Sequence, residues 1–144
     1  PMTDVTKAIS SEQIVTVRPA SEILSRQHLP YFIGISRSTA GATAISMNLI
    51  VIPPGGAAEP HLHRGYETAI YILEGDVRTF YGHDLRESIV NQAGDFLFIP
   101  ANLPHQPVNL NSDRPARAIV ARNDADEQES VELYPAAHSH RGAQ

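Results

Sequence analysis

The chain has 144 residues, 42% of them hydrophobic and 19% charged, which is the composition of one globular domain with a buried core. It contains no cysteine, so disulfides, thiolate metal ligands and a cysteine nucleophile are excluded. The formal net charge is -5 and the 11 Lys and Arg residues are scattered, so we expect no nucleic-acid partner.

The N-terminal region, residues 1–18, is polar and lacks the apolar stretch of a secretory signal. No apolar run approaches the roughly 20 residues needed to cross a bilayer. We therefore expect a cytoplasmic protein without a membrane partner. The next segment, 20–27, predicts one short helix, with Ser21 as its N-cap and Pro30 limiting its length.

From position 30 onward Gly and Pro recur about every ten residues, which predicts an all-β domain of short strands. The strands are predicted at 31–36, 44–52, 69–73, 77–81, 88–91, 96–99, 106–110, 116–121 and 131–133, with a Ser/Thr/Gly loop at 37–43. Such strands around one core fit a sandwich or barrel. We expect a single domain over 1–144, with an N-terminal arm (1–40), a barrel core (41–122) and a C-terminal extension (123–144) whose last residues, 136–144, are frayed.

A first chemical motif lies in the loop before the third predicted strand. His61 and His63 are two residues apart, so an extended backbone turns both imidazoles to the same side. Glu67 follows closely, and imidazoles with a carboxylate bind Zn, Mn, Fe, Co or Ni. Two histidines and one carboxylate leave positions open for water, dioxygen or substrate, although an isolated pair of this kind also occurs by chance.

A second motif delivers another histidine after one hairpin. Gly94 and Asp95 form a turn, an apolar strand follows, and a tight turn at 100–104 brings His105 to the start of the next strand. A lone histidine after a turn is more often structural. Its position shortly after the first pair makes His105 a candidate third metal ligand.

Together the two stretches resemble the cupin superfamily, whose motifs read G(x)5HxH(x)3-4E(x)6G and G(x)5PxG(x)2H(x)3N. The matching positions are Gly55, His61, His63, Glu67 and Gly75 in the first motif and Gly94, Pro100, His105 and Asn109 in the second. The resemblance covers about positions 45 to 122. It implies a cupin double-stranded β-helix, a jelly-roll β-barrel, with one divalent metal ion held by His61, His63, Glu67 and His105. It also implies a small-molecule substrate. The apolar stretches 47–52 and 14–17 could pair across two chains and cover exposed strand edges, so we expect a homodimer, which the resemblance also favours.

Two positions depart from the cupin pattern. Asn102 stands where the family has Gly, but Asn tolerates the left-handed backbone that such a turn needs. Seven residues rather than six separate Glu67 from Gly75, so counting back from Gly75 puts Thr68 at the usual carboxylate position. A bulge or looser turn at 64–66 would return Glu67 to the metal. The alternative is a site of three histidines completed by water.

The remaining polar and aromatic candidates have two interpretations each, as cavity lining or as ordinary core and strand-face residues. They are Tyr66, Tyr71, Arg78, Tyr81 and Gln106. A further pair, His138 and His140, falls in the unpatterned tail and is expected to be solvated.

Three function classes follow from these motifs. The first is a metal-dependent enzyme, of oxygenase or of isomerase, decarboxylase or lyase type, with Glu67 as a possible base. The second is a non-catalytic cupin that binds a sugar or hydroxy acid. The third is a metal-free cupin with a histidine base, which the full set of ligand positions disfavours.

Overall fold

Two antiparallel sheets make up the domain, as a computed structural model describes it over residues 12–19, 23–24, 29–126 and 131–140. The strands are β1 (Ile23–Leu24), β2 (Pro30–Ile35), β3 (Ser46–Ile52), β4 (His61–His63), β5 (Thr68–Glu74), β6 (Asp76–Tyr81), β7 (Glu87–Gln92), β8 (Phe96–Ile99), β9 (His105–Asn109), β10 (Ala116–Arg122) and β11 (Val131–Leu133). A short helix, α1 (Arg37–Ala40), follows β2, and a 3-10 turn (Ala136–His138) follows β11.

The strand orders are those of a jelly-roll barrel. One sheet has the order β1-β2-β3-β10-β5-β8 and the other β11-β4-β9-β6-β7. Neighbours far apart in sequence pair throughout, for example β3 with β10 and β6 with β9. The all-β jelly-roll fold predicted from the motifs is therefore confirmed.

The core lies between the sheets because every second side chain of each strand points inward. Its buried apolar cluster consists of Leu29, Ile52, Ala58, Val77 and Ala116, with Ile50 packed against it. Toward one end of the barrel this apolar lining gives way to polar side chains, among them the buried Asn48, Thr68 and Thr79. That polar end holds the candidate site.

Gly75, the last glycine of the first motif, is required by the hairpin between β5 and β6. Its φ is 92°, and a Cβ at this position would lie 3.0 Å from both Cα and Cβ of Ala116. A side chain here would therefore strain the turn and push β10 away from β5.

Most predicted strands are confirmed, with shifts of one or two residues at their ends. The helix expected over 20–27 is wrong at Ile23 and Leu24, which pair with Tyr31 and Pro30 instead, and the rest of that segment lies outside the described residues. The loop expected at 37–43 begins with α1, because Ser36 caps it in a capping box with Thr39.

The C-terminal segment differs from the frayed tail that the sequence predicts. Up to His140 it is attached to the barrel: the backbone N–H of His140 donates to Gln106 Oε1 at 2.7 Å, and its ring stacks on Phe80 with centroids 3.5 Å apart. The backbone N–H of Tyr134 donates to the Pro60 carbonyl at 2.9 Å. Residues 141–144 lie outside the described residues.

Within the described part of the chain, no helix has the length and apolar character needed to cross a bilayer.

Candidate metal centre

Three histidines from two neighbouring strands converge at the polar end of the barrel. His61 and His63 alternate along β4 and face inward together, while His105 begins β9 directly opposite His61. All three are buried, and their candidate ligand nitrogens lie within 4.8 Å of one another. The ring centroids of His61 and His105 are 4.4 Å apart, and those of His61 and His63 are 5.1 Å apart. Strand alternation and cross-strand pairing therefore produce the cluster that the sequence predicts.

Backbone carbonyls orient two of the three rings. Nδ1 of His61 donates to the Glu59 carbonyl at 2.7 Å, and Nδ1 of His105 donates to the Leu103 carbonyl at 2.9 Å. A carbonyl oxygen can only accept, so the proton sits on Nδ1 in each ring. The lone pair of Nε2 is thereby left for a metal ion, the arrangement usual in metal-binding histidines.

Burial also keeps the cluster in the neutral form that metal binding needs. It lowers the pKa of His105 to about 4, with the Leu103 hydrogen bond opposing the shift. The pKa of His63 is lowered well below its ordinary value, mainly by burial and to a smaller extent by the charge of a nearby arginine, Arg122. The pKa of His61 is likewise lowered, by burial first and then by His105. Near neutral pH no proton has to leave these rings before a metal ion binds.

Asn102 joins the two motif loops. Its φ is 68°, the left-handed conformation expected for an Asn that replaces Gly. Its backbone N–H donates to the His63 carbonyl at 3.0 Å, and its Oδ1 accepts from the Gly65 N–H at 2.8 Å. The turn that delivers His105 is thus attached to the end of the strand that carries His61 and His63.

The structure does not bring Glu67 to the histidines. Its side chain is exposed, and its backbone N–H donates to Asn123 Oδ1 at 2.8 Å. The next residue, Thr68, is buried and borders the cavity, as counting back from Gly75 suggests. The turn at Arg64 and Gly65 does not restore the inward position of Glu67, because β5 starts at Thr68 and sets the strand parity. The assignment of Glu67 as a ligand and base stays a prediction, and this geometry favours the three-histidine alternative.

Arg122 occupies the space beside Thr68. It is the last residue of β10 and only 8% exposed. Its Nε donates to Thr68 Oγ1 at 3.1 Å, and its Nη2 donates to His63 Nε2 at 3.1 Å. Burial lowers the pKa of Arg122 to about 10, with Asp124 opposing the shift, so the guanidinium stays charged at neutral pH.

The sequence does not reveal the buried position of Arg122, because it leaves the strand parity of β10 open. Arg117 and Arg122 are both on β10 but differ by an odd number of residues, so they point to opposite faces. The residues between them are all apolar, so the sequence does not say which face is inward. Arg122 is buried, whereas Arg117 is partly exposed.

A cavity of about 70 Å³ opens next to the cluster. At one end it is bordered by His61, His63, His105, Thr68 and Arg122, and at the other by apolar side chains such as Ile50, Ile52, Ile72 and Val77. The cavity therefore has a positively charged, metal-binding end and an apolar end.

The other residues weighed from sequence do not border this cavity. Tyr71 packs against Phe96, with ring centroids 4.8 Å apart, and Arg78 is exposed. Gln106 is buried but directed away from the site, since its Nε2 donates to the Ala58 carbonyl at 2.9 Å. Tyr66 and Tyr81, both half-buried, are also absent from the cavity wall.

The second histidine pair is not a metal site in this structure. His140 donates from Nε2 to the Leu85 carbonyl at 2.8 Å, and His138 contacts the ring of Tyr134. Both side chains are half-buried rather than fully solvated. In the described residues they join no group of potential metal ligands.

A comparison with known protein families tests the family membership that the fold and motifs suggest. The family profile described as "Cupin domain" matches residues 48–122, which include all three histidines, Asn102 and Arg122. The chain belongs to the cupin superfamily. A search of curated proteins found no match.

Solved structures with a similar fold include oxalate decarboxylases. One, which describes the substrate binding mode, is 22% identical with a TM-score of 0.66 and covers 79% of this chain and 30% of that chain. Another, concerned with the Mn(II) centres of Bacillus subtilis oxalate decarboxylase, is 21% identical with a TM-score of 0.66 and covers 79% and 30%. A third, the Bacillus subtilis enzyme at pH 4.6, is 22% identical with a TM-score of 0.64 and covers 74% and 28%. The chain spans about 30% of the length of these enzymes, and the similarity establishes the shared fold.

The residues of this cupin fit one divalent metal ion. Two histidines present Nε2 with Nδ1 already bonded, and the third lies close enough to complete a shared site. Imidazole suits Zn, Mn, Fe, Co and Ni, so the ligands alone do not select the ion. One adjustment is required, because Arg122 now donates to Nε2 of His63 and a metal ion at that nitrogen replaces this hydrogen bond.

Proposed function

We propose that this cupin is a metal-dependent enzyme of oxygenase type that acts on a small organic molecule. The observation that supports the proposal is the convergence of three buried, neutral histidines at the wall of a cavity. Three protein ligands leave coordination positions open for water and substrate, which is typical of catalytic rather than structural sites. When bound, the ion supplies Lewis acidity, and Fe or Mn also supplies electrons for reaction with dioxygen.

In this proposal Glu67 is neither a ligand nor a base. Its side chain is exposed, whereas Thr68 and Arg122 border the cavity. The residues that contact substrate are then Arg122 and Thr68 at the polar end and the aliphatic side chains at the other end. The aliphatic wall excludes water from the reacting molecule, and Arg122 orients any anionic group that it carries.

Metal content tests the ligand set. Wild type, purified without chelator and loaded with Mn(II), is expected to retain metal after dialysis. His61→Ala and His105→Ala are expected to weaken Mn(II) affinity by about 100-fold or more, since loss of an outer-sphere partner alone costs 10- to 100-fold. Glu67→Gln is expected to leave the affinity unchanged, because Glu67 is exposed.

The matched control is His83→Ala, which removes an exposed histidine outside the cluster and should retain full metal. Mass spectrometry of the dialysed proteins measures all five samples. Substoichiometric metal in wild type, unaltered by His61→Ala or His105→Ala, would refute the metal site. A loss of affinity in Glu67→Gln would restore the four-ligand assignment.

The reaction class is tested with the loaded protein. Fe(II)- and Mn(II)-loaded wild type is screened against small carboxylic, hydroxy and oxo acids in an oxygen electrode, with His105→Ala as the control. Oxygen consumption that needs both substrate and His105 is the expected result. Carbon dioxide release without oxygen consumption would favour decarboxylation, the activity named for the structural neighbours. Thermal stabilisation by a sugar or hydroxy acid without turnover would favour the non-catalytic binder.

Two further features belong to the same proposal: the protein forms a homodimer through the outer face of the larger sheet, and it is located in the cytoplasm.

A further inference from the structure

Arg122 is a buried cation for which the described residues provide no ion pair. Its partners are a threonine hydroxyl and an imidazole nitrogen, both uncharged. None of the described ion pairs includes it. Asp124 raises the pKa of Arg122 through its charge, but the described hydrogen bonds and ion pairs do not join the two side chains. A buried charge in this condition is costly unless something else compensates it.

Metal binding increases the imbalance of charge. An ion on Nε2 of His63 removes one of the two acceptors of the guanidinium. It also adds a second positive charge to the same low-dielectric cavity, where repulsion between cations is strong. The cupin carboxylate that would offset the ion is absent, because Thr68 stands in its place and Glu67 faces solvent. Among the described residues no carboxylate is paired with the guanidinium, so a bound anion is the partner that this end of the cavity favours.

The volume and lining of the cavity indicate the size and polarity of the anion that would bind beside Arg122. A single water needs roughly 10 to 15 Å³ of such volume, so about 70 Å³ holds roughly five non-hydrogen atoms. Most of the wall opposite Arg122 is aliphatic, with Ile50, Ile52, Ile72 and Val77. Arg117 also borders the cavity, but strand parity turns its side chain to the outer face of β10. A dianion would place its second charge against the aliphatic side chains, whereas a short hydrocarbon tail would bury apolar surface there.

We propose that Arg122 and the metal ion together bind the carboxylate of a small monocarboxylic acid, whose apolar tail lies among the aliphatic side chains of the cavity. The planar guanidinium matches a carboxylate with two parallel hydrogen bonds, and the carboxylate lies between the two cations. Arg122 is then the residue that determines specificity for acids. The part of this inference that involves the metal ion rests on the proposed function. The part that involves Arg122 rests on the position of its side chain in the structure.

Three probes of nearly equal size test the assignment in wild type: propionate, its neutral counterpart propionamide, and oxalate. Calorimetric titration of Mn(II)-loaded protein is expected to rank propionate first. Propionamide lacks the charge, and oxalate carries a second one into the aliphatic end. Equal affinity for propionate and propionamide would overturn the role of Arg122, and tighter binding of oxalate would overturn the apolar tail. This comparison requires no variant and so does not depend on how a variant folds.

A second test uses the variant Arg122→Gln, whose shorter side chain is still polar and still donates hydrogen bonds but carries no charge. It is expected to weaken propionate binding by about 30-fold or more while Mn(II) content stays at the wild-type level. The matched control is Arg78→Gln on β6, an exposed arginine that loses the same charge. Unchanged propionate affinity in a folded, metal-loaded Arg122→Gln protein contradicts the inference.

Metal-free protein separates this inference from the proposed function. Arg122 favours propionate over propionamide independently of the metal ion, so the preference is expected to persist in weaker form after chelation. If wild type binds no metal, the proposed function fails, and the acid–amide comparison still decides whether Arg122 binds carboxylates. If wild type binds metal without preferring the acid, only the present inference fails.

Discussion

At the scale of single residues, burial determines the chemistry of the site. The three histidines are neutral because the barrel interior disfavours their charged form, and a neutral imidazole is the form that binds a metal ion. Arg122, in contrast, remains charged in the same interior because an arginine loses its proton only at high pH. The site therefore pairs neutral candidate metal ligands with a fixed cation.

The same burial predicts a pH dependence for the metal-free protein. The pKa of His105 is about 4 in the folded state against 6.5 for an unperturbed histidine, so between these values the unfolded chain binds more protons. The contribution of neutral His105 to the free energy of unfolding is fully present above pH 6.5 and is lost as the pH falls toward 4. We expect the free energy of unfolding to decrease over this window, by up to about 3 kcal/mol from His105 alone.

Denaturant unfolding in the presence of a chelator, at intervals from pH 7.5 to pH 4.5, measures this effect. His105→Asn retains a side-chain N–H for the Leu103 carbonyl but does not titrate, so its stability should fall less steeply than that of wild type. His83→Asn, at an exposed histidine, should follow the wild-type profile. If the free energy of unfolding falls equally with pH in wild type and in His105→Asn, protonation of His105 does not contribute to the pH dependence of stability.

How far the sequence predicts this site depends on strand parity. His61 and His63 follow from residue spacing, and His105 from its place after a turn, because local backbone geometry decides where each one points. The position of Glu67 does not follow from the motif alone, because one extra residue before Gly75 reverses the face on which it lies. Arg122 was beyond prediction, since its partners Thr68 and His63 lie 54 and 59 residues away in sequence.

At the scale of elements, the two motifs act as one unit because the turn before β9 is bonded to the end of β4. Asn102 provides both halves of this contact, its N–H to the His63 carbonyl and its Oδ1 to the Gly65 N–H. The family glycine would offer the backbone contact alone. Replacement of Gly by Asn in this turn therefore adds a hydrogen bond without a conformational penalty.

Substitution of Asn102 tests that contact. Asn102→Gly keeps the left-handed backbone but loses the Oδ1 acceptor, so we expect the free energy of unfolding to fall by about 1 kcal/mol. Asn102→Ala loses the acceptor and adds left-handed strain of about 1 to 2 kcal/mol, so it should be less stable than Asn102→Gly. Asn102→Asp retains the acceptor and should stay near wild type. Chemical denaturation measures all three, and equal stability of the Gly and Ala variants would contradict the assignment.

Elements were predictable where the local pattern and the tertiary pairing agree. Strands such as β6 and β8 follow from alternation and bounding turns. The segment 20–27 has a helical pattern with a plausible N-cap, yet Ile23 and Leu24 pair with β2, so pairing with a neighbouring strand overrode local preference. The attachment of the C-terminal segment depends on contacts between His140 and residues of β6 and β9, which its own polar sequence does not indicate.

At the scale of the whole molecule, the outer face of the larger sheet is apolar. Two rows of side chains cross five strands of this face: Phe32, Leu49, Ile119, Tyr71 and Phe96 form one, and Ile35, Met47, Ala121, Ala69 and Phe98 form the other. Neither row contains a charged residue, and Phe96 and Phe98 are 83% and 58% exposed. A contiguous apolar patch of this kind is typical of an interaction surface.

A second copy of the chain is the partner proposed for this face. Two such faces related by a twofold axis cover each other's apolar rows without burying an unpaired charge, since Arg117 lies beyond the rows on β10. We therefore expect light scattering after size-exclusion chromatography to give about twice 15.7 kDa for wild type.

Phe96→Glu with Phe98→Glu places two charges on the face and should yield the monomer mass. Ile89→Glu, a charge on an exposed apolar position of β7 in the other sheet, should leave the dimer intact. A wild-type mass near 15.7 kDa, or a dimer that persists in the double Phe variant, would place the interface elsewhere or exclude it.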